Sequence, residues 1–262
     1  GGAAAKPAVA KYAYNPQLAI GDYGYGLSGG AWYPITIIGD IFDASITLHV
    51  PAGMEAVANG AVDKRAPSTR AGEPGEFTFH TANPIFGLYF AYGKYTVQET
   101  TVGKTPFYTY FRAANAGKHD AYVKVTSDIL GFYGSKFSPF PYEKMAIIEV
   151  PLPPFLGGVG PASMMMLHEN MVQAKDVPEN LLAHELAHQW FGNLVPINMM
   201  DPGYNQWLSE GFATYCDALY TEKTEGEEAM ARHMQKYGQL YFQYSMMMPR
   251  GKGAIRDAFQ DS

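Results

Sequence analysis

Apolar and polar side chains alternate with a period of two along much of the first hundred residues. Ile46, Leu48 and Val50, for example, fall on one face of an extended segment that Pro51 ends. Such alternation is typical of half-buried β-strands, and aromatic and β-branched residues favour them further. Four strands are predicted here: residues 44–50, 76–80, 94–101 and 106–112. The pattern predicts an antiparallel sheet or part of a β-sandwich.

The period changes near residue 115. Ala121, Val125, Ile129 and Phe132 are spaced three or four residues apart, which is typical of an amphipathic helix. Asp176 and Pro178 resemble the capping acid and first-turn proline of another helix. Helices are predicted at residues 118–133, about 176–191, about 206–221 with Asn205 as a cap, and about 227–244, and strands at 144–150 and 163–168.

The change of pattern predicts two parts of an α+β protein. We place the boundary near residue 103, between a β-rich N-terminal portion, residues 1–103, and a second portion, residues 104–262. Strands followed by helices in separate blocks favour this fold class over an alternating α/β fold.

Composition narrows the class of protein. The chain has 262 residues, of which 47% are hydrophobic and 17% charged, so it is neither disordered nor fibrous. The net charge is −6 and no basic patch stands out, which disfavours nucleic acid as a partner. No apolar run is long enough to span a bilayer. A single cysteine, Cys216, excludes a disulfide framework and leaves a buried structural thiol as the expectation.

The first ten residues lack the ordered regions of a secretory signal. We expect the chain to be a piece of a longer protein, whose compartment and oligomeric state the sequence leaves open.

The strongest chemical signal is the segment His184-Glu185-Leu186-Ala187-His188. On a helix, residues four apart lie one turn apart on the same face, so both imidazoles can bind one metal ion. The intervening Glu185 would then act as general base on metal-bound water. A bare motif of this kind also occurs on helices whose histidines are only solvated or hydrogen-bonded.

A third ligand is expected on the next predicted helix. Glu210 lies there, and the turn Asp201-Pro202-Gly203 can fold that helix back against the first. Two histidines and one glutamate leave a fourth position open, as catalytic zinc sites require. Asp217 lies two turns further along and could hydrogen-bond a ligand histidine, although a plain surface acid is the alternative.

These segments resemble the aminopeptidase N and leukotriene hydrolase family of zinc metallopeptidases. The resemblance rests on HELAHQWFGNL at 184–194 and WLSEGFATY at 207–215, and extends loosely upstream to about residue 32. It implies a thermolysin-like catalytic domain, truncated here, that hydrolyses peptides. It also implies Zn²⁺ held by His184, His188 and Glu210, with Glu185 as the base.

Three departures from the family qualify this expectation. The first is a longer spacing between His188 and Glu210, by three residues, which a loop can absorb at small cost. The second is Gly160, which aligns with the family's glutamate for the substrate's α-amino group. Glu169-Asn170 lies nine residues too late to replace it. Without that carboxylate, endopeptidase action or another hydrolase activity becomes an alternative, while Gly157 and Gly158 could still hold an extended peptide.

The third departure concerns the tyrosine that stabilises the oxyanion in the family. Tyr237, Tyr241 and Tyr244 come too early and are expected to pack on a helix, so we expect that tyrosine beyond residue 262. The prediction is therefore a zinc-dependent metallopeptidase resembling aminopeptidase N. A catalytically impaired zinc-binding scaffold is the alternative from another class, and the retained Glu185 argues against it.

Overall fold

The computed structural model describes residues 18–34, 41–197 and 207–247. The predicted turn at Asp201-Pro202-Gly203 and the predicted cap Asn205 lie outside these residues.

The N-terminal part is built from two antiparallel sheets, as the alternating pattern predicts. Its strands are β1 (Leu18–Ala19), β2 (Tyr23–Gly26), β3 (Ser45–Val50), β4 (Glu55–Ala58), β5 (Ala61–Ala66), β6 (Gly75–His80) and β7 (Phe90–Gly93). Four of them form a sheet in the order β1-β2-β7-β4, and the other three form a sheet in the order β3-β6-β5. Side chains of both sheets meet in one hydrophobic core.

A mixed five-stranded sheet forms the middle of the molecule. It consists of β8 (Tyr95–Val102), β9 (Thr105–Arg112), β10 (Met145–Val150), β11 (Gly158–Val159) and β12 (Met164–His168), in the order β11-β12-β10-β9-β8. Strand β10 is parallel to both of its neighbours, whereas β8 and β11 are antiparallel to theirs. The predicted boundary at residue 103 falls in the β8–β9 turn; the division into domains stays a prediction.

This sheet is buried on both faces, which explains why β10 and β12 are apolar at all positions except Glu149 and His168. In β10, Met145 and Ile147 pack with the helices, whereas Ala146 and Ile148 pack with the N-terminal sheets. A strand covered on both sides needs apolar residues at every position rather than at every second one. The methionines of β12 are core residues for the same reason.

The described residues form five α-helices, of which the first three contact this sheet and the last two pack against other helices. They are α1 (His119–Lys136), α2 (Glu169–Gln173), α3 (Glu179–Ala187), α4 (Phe212–Glu225) and α5 (Glu227–Met247). A π-helical turn (Trp207–Gly211) leads into α4, and the short strands β13 (Phe191–Gly192) and β14 (Val195–Pro196) follow α3. No helix among the described residues is long and apolar enough to cross a membrane.

Two details of the predicted helices were wrong. In α1, Ile129 is buried and Val125 and Phe132 pack against the core as predicted, but Ala121 is exposed, and Tyr122, Thr126 and Tyr133 complete the buried stripe. Helix α3 is shorter than predicted at both ends. It stops at Ala187 because its last turn tightens to bonds between residues three apart, such as Gln189 N–H to the Leu186 carbonyl.

Candidate metal centre

The structure brings together His184, His188 and Glu210. One ligand atom from each of these residues lies within 4.8 Å of the others. Glu210 Oε2 is 3.3 Å from His184 Nε2 and 3.7 Å from His188 Nε2, and the two imidazole rings are 5.1 Å apart between centroids. The one-turn spacing predicted from the sequence therefore places both rings against the same carboxylate.

The second nitrogen of each histidine has its own partner, and this orients the rings. His188 Nδ1 lies 3.0 Å from the Phe191 carbonyl, to which it donates, and His184 Nδ1 lies 3.4 Å from Asp217 Oδ2. When the imidazole is neutral, donation from Nδ1 leaves the electron pair of Nε2 available for a metal ion. Both Nε2 atoms face Glu210, which is the arrangement that metal-binding histidines adopt.

Glu210 is presented by the π-helical turn before α4. That turn rests on β13 through aromatic contacts: the Phe212 ring stacks on Phe191 at 4.7 Å and lies 5.9 Å from Trp207. π-Helical turns are rare and frequent at functional sites. Here the turn places Glu210 beside the histidines of α3, and α4, which follows the turn, packs against α3.

Asp217 is a buried acid and not a plain surface residue. Its side chain is 3% exposed, and it contacts His184 as described. It also accepts from two side chains of α5: His233 Nε2 at 2.7 Å and the Tyr237 hydroxyl at 3.4 Å. The carboxylate therefore joins the metal set to the last described helix.

Glu185 lies on the buried side of α3, beside the three-residue set. Burial raises the pKa of its carboxyl to about 7, against the lowering effects of the His184 charge and of a hydrogen bond from the Gly160 backbone N–H. A carboxyl with a pKa near neutrality can both accept and return a proton in that range.

Burial and neighbouring charges shift the pKa values of the three candidate metal ligands. Burial alone would lower the pKa of His184, but the Asp217 and Glu210 carboxylates raise it to about 10. Burial lowers the pKa of His188. The hydrogen bond with His184 holds the pKa of Glu210 below its usual value. In the metal-free chain, His184 therefore carries the positive charge that balances Glu210.

A cleft of about 560 Å³ opens onto these residues. Gly157 and Gly158 line it, and strand β11 is an edge strand of the five-stranded sheet. Apolar side chains cover its other walls, among them Phe86, Tyr89 and Phe155. An edge strand along a cleft can pair with an extended peptide through backbone hydrogen bonds.

Gly160 has no room for a side chain. A Cβ atom on this residue would lie 2.1 Å from the backbone oxygen of Glu185. The acidic residues that line the described cleft are Glu185 and Glu210. Glu169 lies elsewhere, in an ion pair with Arg112. This position agrees with the expectation that Glu169 does not bind the α-amino group of a substrate.

A buried network of hydrogen bonds holds the loop around Gly160. Gln189 accepts from the Ser163 N–H at 2.9 Å and donates to the Pro161 carbonyl at 2.9 Å and the Met164 carbonyl at 3.2 Å. Asn193 donates to the Gly160 carbonyl at 2.9 Å. This side of the site was not predicted, although Gln189 stands directly after the motif.

The same loop is anchored to the N-terminal part. Asn59 donates to the Ala162 carbonyl at 2.8 Å, and the Gly60 N–H donates to Ser163 Oγ at 2.9 Å. The buried Lys144 ammonium donates to the Ala58 and Gly60 carbonyls. The N-terminal sheets thus help to position the loop beside Glu185.

Some predicted or dismissed residues have other positions. His233 contacts Asp217, and Tyr237, which was expected to pack on a helix, faces Asp217 rather than the cleft. The four-residue spacing of His233 and Tyr237 on a predicted amphipathic helix is the sequence feature that indicates a shared face. Cys216 is a buried thiol whose pKa burial raises to about 12, which agrees with a structural role.

The donor set fits zinc better than calcium or magnesium. Two imidazole nitrogens and one carboxylate match the His₂Glu ligands of catalytic zinc sites, whereas calcium and magnesium prefer oxygen ligands throughout. The partners that orient the two histidines bind their Nδ1 atoms, so both Nε2 atoms remain beside the cleft.

Comparisons with known proteins point the same way. Residues 122–251 match the Peptidase family M1 domain. Human aminopeptidase N is 34% identical over 124 residues, which are 43% of this chain and 12% of that protein. Rice aminopeptidase M1-C is 31% identical over 191 residues, or 66% of this chain and 20% of that protein. The chain thus spans a fifth or less of these relatives.

Solved structures show the same fold. The M1 zinc metallopeptidase from Deinococcus radiodurans superposes with a TM-score of 0.60 at 23% identity, covering 84% of this chain and 51% of that one. A two-domain M1 zinc metallopeptidase bound to L-arginine gives a TM-score of 0.61 at 23% identity, covering 83% of this chain and 50% of that one. The resemblance predicted from the sequence is therefore confirmed: the chain is similar to M1 zinc metallopeptidases of the aminopeptidase N type, and these relatives indicate zinc as its cofactor.

Proposed function

We propose that this chain carries the zinc site of a thermolysin-like peptidase that hydrolyses peptide bonds, with His184, His188 and Glu210 as the zinc ligands. The observation that supports it most directly is the convergence of both Nε2 atoms on Glu210, beside a cleft with an edge strand. When bound, zinc would supply Lewis-acid polarisation of the scissile carbonyl and of the attacking water.

The residues of the chain account for the remaining steps. The backbone of β11 orients an extended peptide along the cleft. Glu185, one residue from the first ligand and on the buried wall of the same cleft, removes the proton of the attacking water and then delivers it to the leaving amine. The Gly160 N–H that bonds Glu185 keeps this carboxylate aimed into the cleft.

Replacement of Glu185 tests the mechanism. The Glu185→Gln variant should lose roughly 10²–10⁴-fold in peptide hydrolysis, because a general base contributes that much, while it still binds zinc. Glu179→Gln is the matched control, since Glu179 is an exposed residue of the same helix. Hydrolysis would be followed with a quenched fluorescent peptide, and zinc by elemental analysis. An active, zinc-loaded Glu185→Gln variant would exclude Glu185 as the base.

A second candidate is a peptidase of the same chemistry that does not require a free amino terminus. The steric exclusion of any side chain at Gly160 favours it, because the carboxylate that pairs with the substrate ammonium cannot stand there in this backbone. Matched peptides with free and acetylated amino termini separate the candidates. An aminopeptidase cleaves only the free peptide, whereas equal rates on both support the second candidate. A zinc-loaded chain that cleaves neither favours the scaffold alternative.

A further inference from the structure

Asp217 receives hydrogen bonds from two directions. On one side its Oδ2 lies 3.4 Å from His184 Nδ1, and on the other its Oδ1 accepts from His233 Nε2 at 2.7 Å. The Tyr237 hydroxyl adds a longer contact of 3.4 Å to Oδ2. The shortest of these three contacts comes from α5, a helix that contributes no ligand to the metal set.

The hydrogen bond between His233 and Asp217 is largely shielded from solvent. The side chain of Asp217 is 3% exposed and that of His233 is 15% exposed. A carboxylate removed from water needs hydrogen-bond donors to remain ionised and fixed in one orientation. Burial raises the pKa of the Tyr237 hydroxyl to about 12, so it remains a donor at neutral pH.

The geometry of α5 explains why these two residues reach the same carboxylate. His233 and Tyr237 are four residues apart and therefore lie on one face, with their rings 5.2 Å apart. This face packs against α4, which carries Asp217. The other polar residues of α5 near this position, such as Gln235, are exposed.

We propose that His233 is a positioning residue for the metal centre. By donating to one oxygen of Asp217, it fixes the other oxygen on His184 Nδ1–H and so holds Nε2 of His184 toward the ion. This inference rests on the proposed zinc site and assigns a role in it to the last described helix. Hydrogen-bond partners behind metal ligands tune affinity in this way.

Zinc affinity is the appropriate readout, because it does not depend on turnover. The wild-type chain and its variants would be titrated with zinc alone against a fluorescent chelator. His233→Ala should weaken zinc binding by about tenfold, at the lower end of the loss seen for such partners. His233→Gln, whose amide places a donor near the position of Nε2, should restore most of it. Gln235→Ala on the same helix should bind as the wild type does.

A double-mutant cycle shows whether His233 acts through Asp217. In an Asp217→Asn background, the His233→Ala change should have little further effect on zinc affinity. Thermal unfolding of the metal-free variants separates positioning from folding, since a purely structural loss lowers the melting temperature of the metal-free chain and is not corrected by Gln.

The outcomes are distinct. A wild-type chain that binds no zinc would overturn the proposed function and this inference with it. A zinc-binding wild type with unchanged affinity in His233→Ala would overturn this inference alone. An equal tenfold loss in both the wild-type and the Asp217→Asn backgrounds would also overturn it, because His233 would then act by another route.

Discussion

Two sides of the candidate metal centre are held in different ways. On the loop side, Gln189 and Asn193 tie the backbone around Gly160 to the end of α3, and Asn59 connects it to the N-terminal sheets. On the helix side, Glu210 belongs to the π-helical turn, its side chain is 49% exposed, and it contacts the two histidines. The loop side is buried and bonded mainly to backbone, whereas the helix side depends on side-chain charges.

The difference separates stability from metal binding. Buried backbone groups that lose a partner incur the full desolvation cost, so the loop side should contribute mainly to folding. A half-exposed ion pair contributes little to folding, so Glu210 should contribute mainly to zinc affinity. Glu185 belongs to the loop side, and its orientation is therefore supported by the fold rather than by the metal.

The largest expected effect is on the loop side. Gln189→Leu leaves the Ser163 N–H and the Pro161 and Met164 carbonyls without this partner. Each buried unsatisfied group costs about 1–3 kcal/mol, and relaxation of the structure offsets part of this cost. The free energy of unfolding should therefore fall by about 3–5 kcal/mol. Urea denaturation of the metal-free chain measures this. Gln173→Leu at an exposed glutamine should stay within about 0.5 kcal/mol, and an equal loss in both variants would contradict the distinction.

Glu210→Gln should show the opposite profile. Loss of the ligand charge should weaken zinc binding by more than roughly 100-fold, or about 2.7 kcal/mol. The free energy of unfolding of the metal-free chain should change by less than about 1 kcal/mol. Glu225→Gln, at an exposed position of the same helix, is the control. A strongly destabilised metal-free Glu210→Gln chain would remove the contrast between the two sides.

Gly160→Ala should destabilise the chain through crowding. The new methyl group would overlap the Glu185 carbonyl at 2.1 Å, and overpacking of this kind costs about 1–3 kcal/mol. Gly157→Ala is a matched change, since its methyl group would meet only Leu181 at an ordinary 3.4 Å. Denaturation of both variants would test the packing, and equal stability of the two would show that the loop can move away from α3.

Zinc affinity should depend on pH because His184 must lose a proton to bind. The pKa of His184 in the metal-free chain is raised to about 10, so the deprotonated fraction rises tenfold for each pH unit below that value. Zinc affinity should therefore increase by about tenfold per unit between pH 6.5 and 8.5, since protons compete with the metal. Chelator competition across this range measures the slope, and a flat profile would show that His184 is already neutral.

The sequence predicts the zinc helices better than their surroundings. The spacing of His184 and His188 depends only on helix geometry, and the flanking segment identified Glu210 despite the longer loop. Both follow from local rules. The contact of His233 with Asp217 depends on how α5 packs against α4, which no local pattern specifies.

The fold shows the same division. Strand alternation and helical spacing predicted six of the described strands and four of the described helices, whereas β1, β2, β4, β5, β7, β11, β13, β14 and α2 were not predicted. The buried stripe of α1 was predicted only in part, because Tyr122, Thr126 and Tyr133 are also buried through tertiary contacts, including a Tyr133 hydrogen bond to the Ala183 carbonyl. The Gln189 network joins segments that are distant in sequence, so it could not be predicted from either alone.

The central claim is that His184, His188 and Glu210 hold one zinc ion. Elemental analysis of the chain, purified without chelator or nickel and dialysed against a zinc buffer, tests it most directly. The account predicts close to one zinc per chain, lost in a His184→Ala/Glu210→Ala double variant that still folds. No zinc in the wild-type chain, or one zinc retained by the double variant, would contradict it.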